Sequence, residues 1–233
     1  MRRVARLDLE NFSDAMSVIS GIVAAPRPPG RFDVLVDGEP IARLSIDAIE
    51  RLHLTVGCDV AGLLEQITLA ASELEVYDRA LNILAFRARS SAELRRALVR
   101  KGAEQPHVDR AIARLREQGI LDDAAFAQSF TRAKVLGANQ SRRRVQQELA
   151  RKGVSRTVSD AAIDVVFEEE GVDTSAMAVT AARKKMHSLR TLEPNVQRRR
   201  LYGFLARRGY DGEDIRRAME VVAREFEGEH DVT

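Results

Sequence analysis

The sequence of 233 residues contains one cysteine, no tryptophan and few other aromatic residues. With Cys58 alone, the chain cannot form an intramolecular disulfide or a thiolate metal cluster, which is typical of a protein from a reducing cytoplasm. Aromatic residues make up 5% of the chain, so the core must consist mainly of Leu, Ile, Val and Ala. No apolar run approaches the roughly 18 residues of a membrane span, and Asp8, Glu10 and Asp14 interrupt the start. We therefore expect no membrane segment and no signal peptide, and we predict a cytoplasmic protein.

Patterns of catalysis and metal binding are also lacking. The sequence has no glycine-rich P-loop, so a P-loop ATPase is not expected. The adjacent Asp122 and Asp123 could act as a carboxylate pair, but their place before a helical segment favours helix capping. We predict no metal site, because no ligand spacing connects the four histidines, His53, His107, His187 and His230. The resulting prediction is a protein that is not an enzyme and needs no cofactor.

What the sequence does contain is an internal repeat. Residues 98–102 read Leu-Val-Arg-Lys-Gly, residues 149–153 read Leu-Ala-Arg-Lys-Gly, and residues 205–209 read Leu-Ala-Arg-Arg-Gly. A glycine just past a helix end adopts the left-handed conformation at little cost, and basic residues in the last turn complement the helix dipole. Apolar residues follow a helical spacing on both sides of each glycine, and the period of 51 and then 56 residues has room for three helices.

These features predict a mainly α-helical protein. We expect tandem three-helix repeats in an elongated, curved array, preceded by a small appendage that consists of a β-hairpin and a helix. The hairpin is indicated by alternating apolar residues around the turn residues Asp37 and Gly38. The predicted segments are a poorly ordered leader at 1–30, which ends in a proline-rich linker, the appendage at 31–70, and repeats at 71–121, 122–172 and 173–229.

Several residues are predicted to begin helices. Ser90 and Glu93 have the spacing of a capping box, and Pro106 and Pro194 are each predicted as the first residue of a helix. Side-chain caps for the other helices are expected from Ser45, Asp122 or Asp123, Asp173 and Asp211.

The net charge of +2 conceals an uneven distribution. Residues 1–75 contain 7 Lys and Arg against 12 Asp and Glu, whereas the remainder contains 30 against 23. The repeats are therefore basic, which favours an anionic partner.

The densest positive charge consists of two arginine triplets at equivalent repeat positions, eleven to nine residues before Gly153 and Gly209. Three consecutive residues of a helix span about 200°, so at least one arginine of each triplet faces solvent, and guanidinium groups bind phosphates well. A solvated helix surface explains any single one of these residues equally well. The first repeat departs from the pattern, with Ser91-Ala92-Glu93 in that place. The candidates for partner or DNA binding are Arg142, Arg143, Arg144, Arg151, Lys152, Lys184, Lys185, Arg198, Arg199, Arg200, Arg207 and Arg208.

Three motifs together resemble the RecX family of regulatory proteins over about residues 76–227. They are Arg-Ala-Arg-Ser-Ser-Ala-Glu-Leu at 87–94, Gly-Ile-Leu-Asp-Asp-Ala-Ala-Phe-Ala at 119–127, and Arg-Val-Gln-Gln-Glu-Leu-Ala-Arg-Lys-Gly-Val at 144–154. The closing Phe-Leu-Ala-Arg-Arg-Gly-Tyr at 204–210 is also similar. The resemblance implies a protein without enzymatic activity that binds the filament of the RecA recombinase on DNA. It also implies inhibition of RecA ATP hydrolysis and strand exchange, and hence a role in homologous recombination, DNA repair and the SOS response.

Other functions stay open at this point. The leading hypothesis is a monomer that binds the RecA filament and, weakly and in a salt-sensitive way, single- or double-stranded DNA. The alternative is a helix-turn-helix-like protein that reads duplex sequence, which predicts a preferred duplex site. An enzyme of nucleic-acid metabolism is a third hypothesis, although no residue is nominated for its chemistry.

Overall fold

The computed structural model describes residues 17–228, which form two compact units. Unit 1 contains residues 17–87 and 94–118, and unit 2 contains residues 88–93 and 119–228. The strands are β1 (Ile19–Ala24), β2 (Arg31–Val36) and β3 (Glu39–Ser45). The helices of this part of the chain are α1 (Ile46–Arg51), α2 (Leu64–Phe86), α3 (Ser91–Arg100), α4 (Gln105–Glu117), α5 (Asp123–Ala138), α6 (Arg142–Arg151), α7 (Arg156–Glu169), α8 (Thr174–His187), α9 (Pro194–Arg207) and α10 (Gly212–Gly228).

Unit 1 begins with a three-stranded antiparallel sheet in the order β1-β2-β3. The predicted turn between β2 and β3 is confirmed, because Asp37 and Gly38 both have positive φ, 51° and 82°. One face of the sheet packs on the start of α2, where Val34, Leu44 and Ile67 are fully buried in a common core. The rest of α2 packs on α4.

The prediction of a poorly ordered leader through residue 30 is wrong for β1. Ile22 pairs with Val34 across the antiparallel ladder, and Ile19 is buried in the core. The register shifts between Ile19 and Gly21, which interrupts the alternation that would mark a strand in the sequence. The strand is formed by its pairing with β2 rather than by local preference. Residues 1–16 of the predicted leader lie outside the described residues.

The predicted boundary between appendage and first repeat, at residues 70 and 71, falls inside α2. This helix continues for 23 residues without a break. Ile67 and Ala70 belong to the core beneath the sheet, whereas Leu74 and Tyr77 are buried further along the same helix. The appendage and most of the first repeat, residues 71–87 and 94–118, therefore share one helix and one compact unit.

Unit 2 contains the second and third predicted repeats, each with its own apolar core. Val145, Leu149 and Ile163 belong to the core of repeat 2, formed by α5, α6 and α7. Repeat 3 is built from α8, α9 and α10, and three buried alanines at 178, 181 and 182 let α8 lie close to α10. The elongated, curved arrangement of the three repeats stays a prediction.

The predicted helix ends are largely confirmed. The glycines at 102, 153 and 209 have φ values of 82°, 81° and 83°, a left-handed conformation that other residues adopt at a cost. Ser90 and Glu93 form the capping box, since the Ser90 hydroxyl accepts a hydrogen bond from the Glu93 amide at 3.1 Å. One end departs from the glycine pattern, because the C-cap of α5 is Asn139, with φ of 46°. Side-chain caps are present at Ser45, Asp122, Ser141, Ser155, Asp173 and Asp211.

Among residues 17–228, no helix combines the length and apolar character needed to cross a membrane.

Candidate functional site

The twelve basic residues predicted as contact candidates all lie in unit 2. Helix α6 carries the first triplet and Arg151, and α9 carries the second triplet and Arg207. Lys184 and Lys185 lie in the last turn of α8. The remaining two, Lys152 and Arg208, are the C-cap residues of α6 and α9.

The triplet of repeat 2 is largely engaged in ion pairs within the repeat. Arg142 pairs with Asp164 of α7, and its guanidinium lies 5.8 Å from the centre of the Phe167 ring. Arg144 donates from Nε to the Glu148 carboxylate at 3.0 Å, one turn along α6. The exception is Arg143, which is exposed and has no ion-pair partner among residues 17–228.

Glu148 is the acceptor at the centre of this arrangement. Besides Arg144, it accepts hydrogen bonds from Nζ of Lys134 at 3.1 Å and from Nε2 of Gln140 at 3.2 Å. Partial burial by itself raises the pKa of this carboxyl, but the bonds and charges of Lys134, Gln140 and Arg144 outweigh it, so the pKa lies below its ordinary value. Arg144 is thus paired with a carboxylate whose ionised form is favoured, and this negative charge offsets that of Arg144.

The triplet of repeat 3 has different surroundings. Arg198, Arg199 and Arg200 are all exposed, and none of them has an ion-pair partner in the described part of the chain. Phe204 stands at the repeat position of Glu148, five residues before the repeat glycine, so the carboxylate one turn beyond the triplet is missing. The arginine triplet of repeat 3 therefore has three exposed guanidinium groups without a carboxylate partner in the described chain.

A groove runs beside this second triplet. It has a volume of about 880 Å³ and lies between the end of α8 and α9. None of the residues that line the groove carries a carboxylate. Its basic and aromatic lining residues are Lys185, Arg199, Arg200, Tyr202 and Arg207.

Lys152 and Arg208 each contact the N-cap serine of a helix in the preceding repeat, Ser90 and Ser141 respectively. We call these two contacts the first and the second joint. The Ser90 hydroxyl donates to the Lys152 carbonyl at 2.6 Å, and Nζ of Lys152 lies 3.0 Å from the Glu93 carboxylate. In the second joint, the amide of Ser141 donates to the Arg208 carbonyl at 3.3 Å. Ser90 and Ser141 both lie twelve residues before their repeat glycine, so a serine at the same repeat position donates to a C-cap carbonyl in both joints, through its hydroxyl in the first and its amide in the second.

The second joint is completed by the side chains of repeat 3. The guanidinium of Arg208 donates to the Ala138 carbonyl, and the Tyr210 hydroxyl donates to the Asn139 carbonyl at 2.7 Å. Burial raises the pKa of Tyr210 to about 12, although the nearby Arg208 partly opposes this. We therefore assign Lys152 and Arg208 to the joints and leave them out of the contact surface that we propose below.

Sequence reasoning missed Tyr202 and the role of Phe204. The comparison of repeats contains the signal for both, because Tyr202 and Phe204 replace Gln146 and Glu148. The pairing of Arg144 with Glu148 also has the i, i+4 spacing of a helix ion pair. The pairing of Arg142 with Asp164 lacks such a signal, since the two residues are 22 positions apart.

Comparison with known proteins identifies these repeats. Models of the first, second and third three-helix domains of RecX match residues 77–115, 122–163 and 173–219. The chain is 34% identical to the regulatory protein RecX of Chlorobaculum tepidum over 148 residues. This aligned region covers 64% of this chain and 88% of that relative. The chain belongs to the RecX family.

Further RecX proteins agree with this assignment. The regulatory protein RecX of Amycolatopsis mediterranei is 36% identical over 129 residues, covering 55% of this chain and 72% of that protein. A crystal structure of regulatory protein RecX superposes with a TM-score of 0.72 at 20% identity, over 89% of this chain and 99% of that one. At that identity the likeness shows the fold. The family models begin at residue 77, so β1 to β3 and α1 lie outside the matched RecX domains.

Proposed function

We propose that this RecX-family protein binds the RecA filament on DNA and inhibits its ATP hydrolysis and strand exchange. The observation that supports the DNA contact is the second triplet, in which Arg198, Arg199 and Arg200 are exposed without a carboxylate partner in the described chain. An arginine that already pairs with a carboxylate adds little binding free energy when it contacts a phosphate, because the first ion pair must be given up. An unpaired arginine loses no such ion pair when it binds a phosphate. RecA itself is proposed from the family, whose members are named regulatory proteins.

In this role, unit 2 positions arginines against DNA and catalyses no reaction. The protein acts as a monomer in the cytoplasm, where it holds its arginines against the phosphates of filament DNA, and no residue of it forms or breaks a covalent bond. DNA affinity falls steeply with salt, because each phosphate contact releases condensed counterions.

The test is the DNA-dependent ATP hydrolysis of purified RecA, titrated with the purified protein. We expect inhibition near or below one protein per RecA, and weaker inhibition by the triple variant Arg198/Arg199/Arg200→Ala. The matched control is Arg142/Arg143/Arg144→Ala, which removes the same charge from a triplet that is mostly paired.

Two outcomes would overturn the proposal. A wild-type protein that leaves RecA ATP hydrolysis and strand exchange unchanged across a wide titration excludes the filament role. Enrichment of one duplex sequence from a random pool, far above salt-dependent background binding, instead supports the helix-turn-helix-like alternative.

A further inference from the structure

The groove of repeat 3 has a composition that fits one kind of ligand. Three arginines and Lys185 line it, and the lining residues include no carboxylate. Four like charges that share a groove repel one another, so the groove favours a partner with closely spaced negative charges. A nucleic-acid strand carries such a charge at every nucleotide, whereas a folded protein surface has mixed sign.

Tyr202 differs from the other two tyrosines of the chain. Tyr77 and Tyr210 are buried, and their hydroxyls bond to the Gln118 side chain at 2.5 Å and to the Asn139 carbonyl at 2.7 Å. Tyr202 is 53% exposed, and its hydroxyl makes no hydrogen bond to any residue between 17 and 228. Tyr202 is therefore about half exposed and lies on the lining of the groove.

Gly203 leaves room for one of the cations that line this groove. The Nη1 atom of Arg207 lies 3.2 Å from the position that a β-carbon at residue 203 would occupy. A β-carbon at residue 203 would require the Arg207 guanidinium to shift by a few tenths of an ångström. The glycine therefore lets Arg207 lie across the surface of α9, on the lining of the same groove as Tyr202.

We propose that this groove binds single-stranded nucleic acid, with one unpaired base stacked on Tyr202 and the adjoining phosphates bound by Arg199, Arg200 and Arg207. Stacking on an aromatic ring requires an exposed base face, and in a duplex both faces are covered by neighbouring base pairs. The inference rests on the proposed function and deepens it, because it names the strand state of the DNA and the side chain that selects it.

The test measures binding of the full-length protein to three labelled probes in the same buffer. They are an oligothymidylate of about 12 nucleotides, within the usual site sizes of single-strand binding folds, an abasic strand of equal length, and a duplex of equal length. We expect Tyr202→Ala to weaken oligothymidylate binding about tenfold and to leave abasic and duplex binding nearly unchanged. Tyr202→Phe should retain wild-type affinity, since the ring remains.

Phe86→Ala is the matched control, because Phe86 is an aromatic residue of unit 1 that is 90% exposed. Thermal unfolding of each variant checks that the fold is intact. Equal losses on the abasic and the base-containing strand would show that the groove reads phosphates alone and would overturn the stacking proposal. Unchanged oligothymidylate binding combined with weaker binding to RecA filaments would assign Tyr202 to a protein partner and would overturn it too.

The two proposals fail in different ways. Loss of the Tyr202 effect with intact inhibition of RecA leaves the filament role standing and removes the stacking subsite. Absence of RecA inhibition with intact, Tyr202-dependent strand binding removes the filament role and keeps the subsite.

Discussion

Repeats 2 and 3 carry the same arginine triplet at the same position, yet the two triplets have different environments. Arg142 and Arg144 are paired with Asp164 and Glu148, whereas Arg198 and Arg200 have no carboxylate partner in the described chain. The two triplets have the same number of positive charges, but two of the three are paired with carboxylates in repeat 2 and none is in repeat 3 within the described chain. The difference teaches that the carboxylates around a basic cluster decide whether its charges are offset within the fold or stay available to an anion.

The largest expected effect concerns the joint that holds the two repeats together. A β-carbon at residue 209 would lie 2.6 Å from the Ser141 hydroxyl and 3.0 Å from the backbone nitrogen of Arg144, at a φ of 83°. Gly209→Ala should therefore lower the free energy of unfolding by about 3 kcal/mol, through left-handed strain and steric overlap. Denaturant unfolding measures the loss.

The control for this prediction is Gly102→Ala. Gly102 has nearly the same φ, 82°, but no atom lies within 4 Å of its β-carbon position. We expect a loss of about 1 kcal/mol there, from left-handed strain alone. Equal losses at the two glycines would show that the contact between repeats adds nothing.

The next effect compares the triplets themselves. Arg198/Arg199/Arg200→Ala should reduce affinity for DNA about 10- to 100-fold at about 0.1 M salt, and should reduce the salt slope by about three. Arg142/Arg143/Arg144→Ala should reduce the slope by about one, because Arg143 is the one arginine of that triplet without an ion pair in the described chain. Titrations at several salt concentrations measure both slopes. Equal slopes for the two variants would contradict the distinction between the repeats.

A smaller effect is expected from Glu148→Gln, which makes repeat 2 more like repeat 3. Removing the carboxylate frees Arg144, so affinity for DNA should rise about two- to threefold, while stability falls by about 1 kcal/mol. Because the pKa of Glu148 in the folded protein lies below its ordinary value of 4.5, its stabilisation is present above that pH and is lost as the pH falls below it. Unfolding measured from pH 7 to pH 3 should show the wild type and the variant converging. A gap that stays constant across this range argues against the ionised carboxylate as the cause.

The smallest effect near neutral pH is expected from Tyr210→Phe, which removes the hydrogen bond to Asn139 in the joint. The cost should be about 1 kcal/mol or less. The folded pKa of about 12 exceeds the ordinary value of 10.0, so the tyrosine stabilises the fold below pH 10 and this contribution is lost as the pH rises towards 12. The variant should lose less stability than the wild type between pH 10 and pH 12. Parallel curves would mean that another group causes the alkaline loss.

Much of this protein follows from local sequence. The three repeats, their glycine ends and the caps at Ser90, Asp122 and Asp173 were predictable, because each depends on residues within one or two turns of each other. The RecX assignment depends on those same local motifs. The ion pair of Arg144 with Glu148 was also within reach, as a helix pair at i, i+4, but the prediction treated the two triplets alike.

Tertiary structure decided the features that depend on residues distant in sequence. The strand β1 exists because β2 supplies its backbone partners, and the sheet covers only the first turns of α2, whose remainder packs on α4. Asp164 offsets Arg142 only because α7 folds back on α6, and Arg208 turns from a contact candidate into a joint residue because Ala138 lies beside it. Local preference determines where a helix begins and ends, whereas the partner of a long charged side chain is determined by packing.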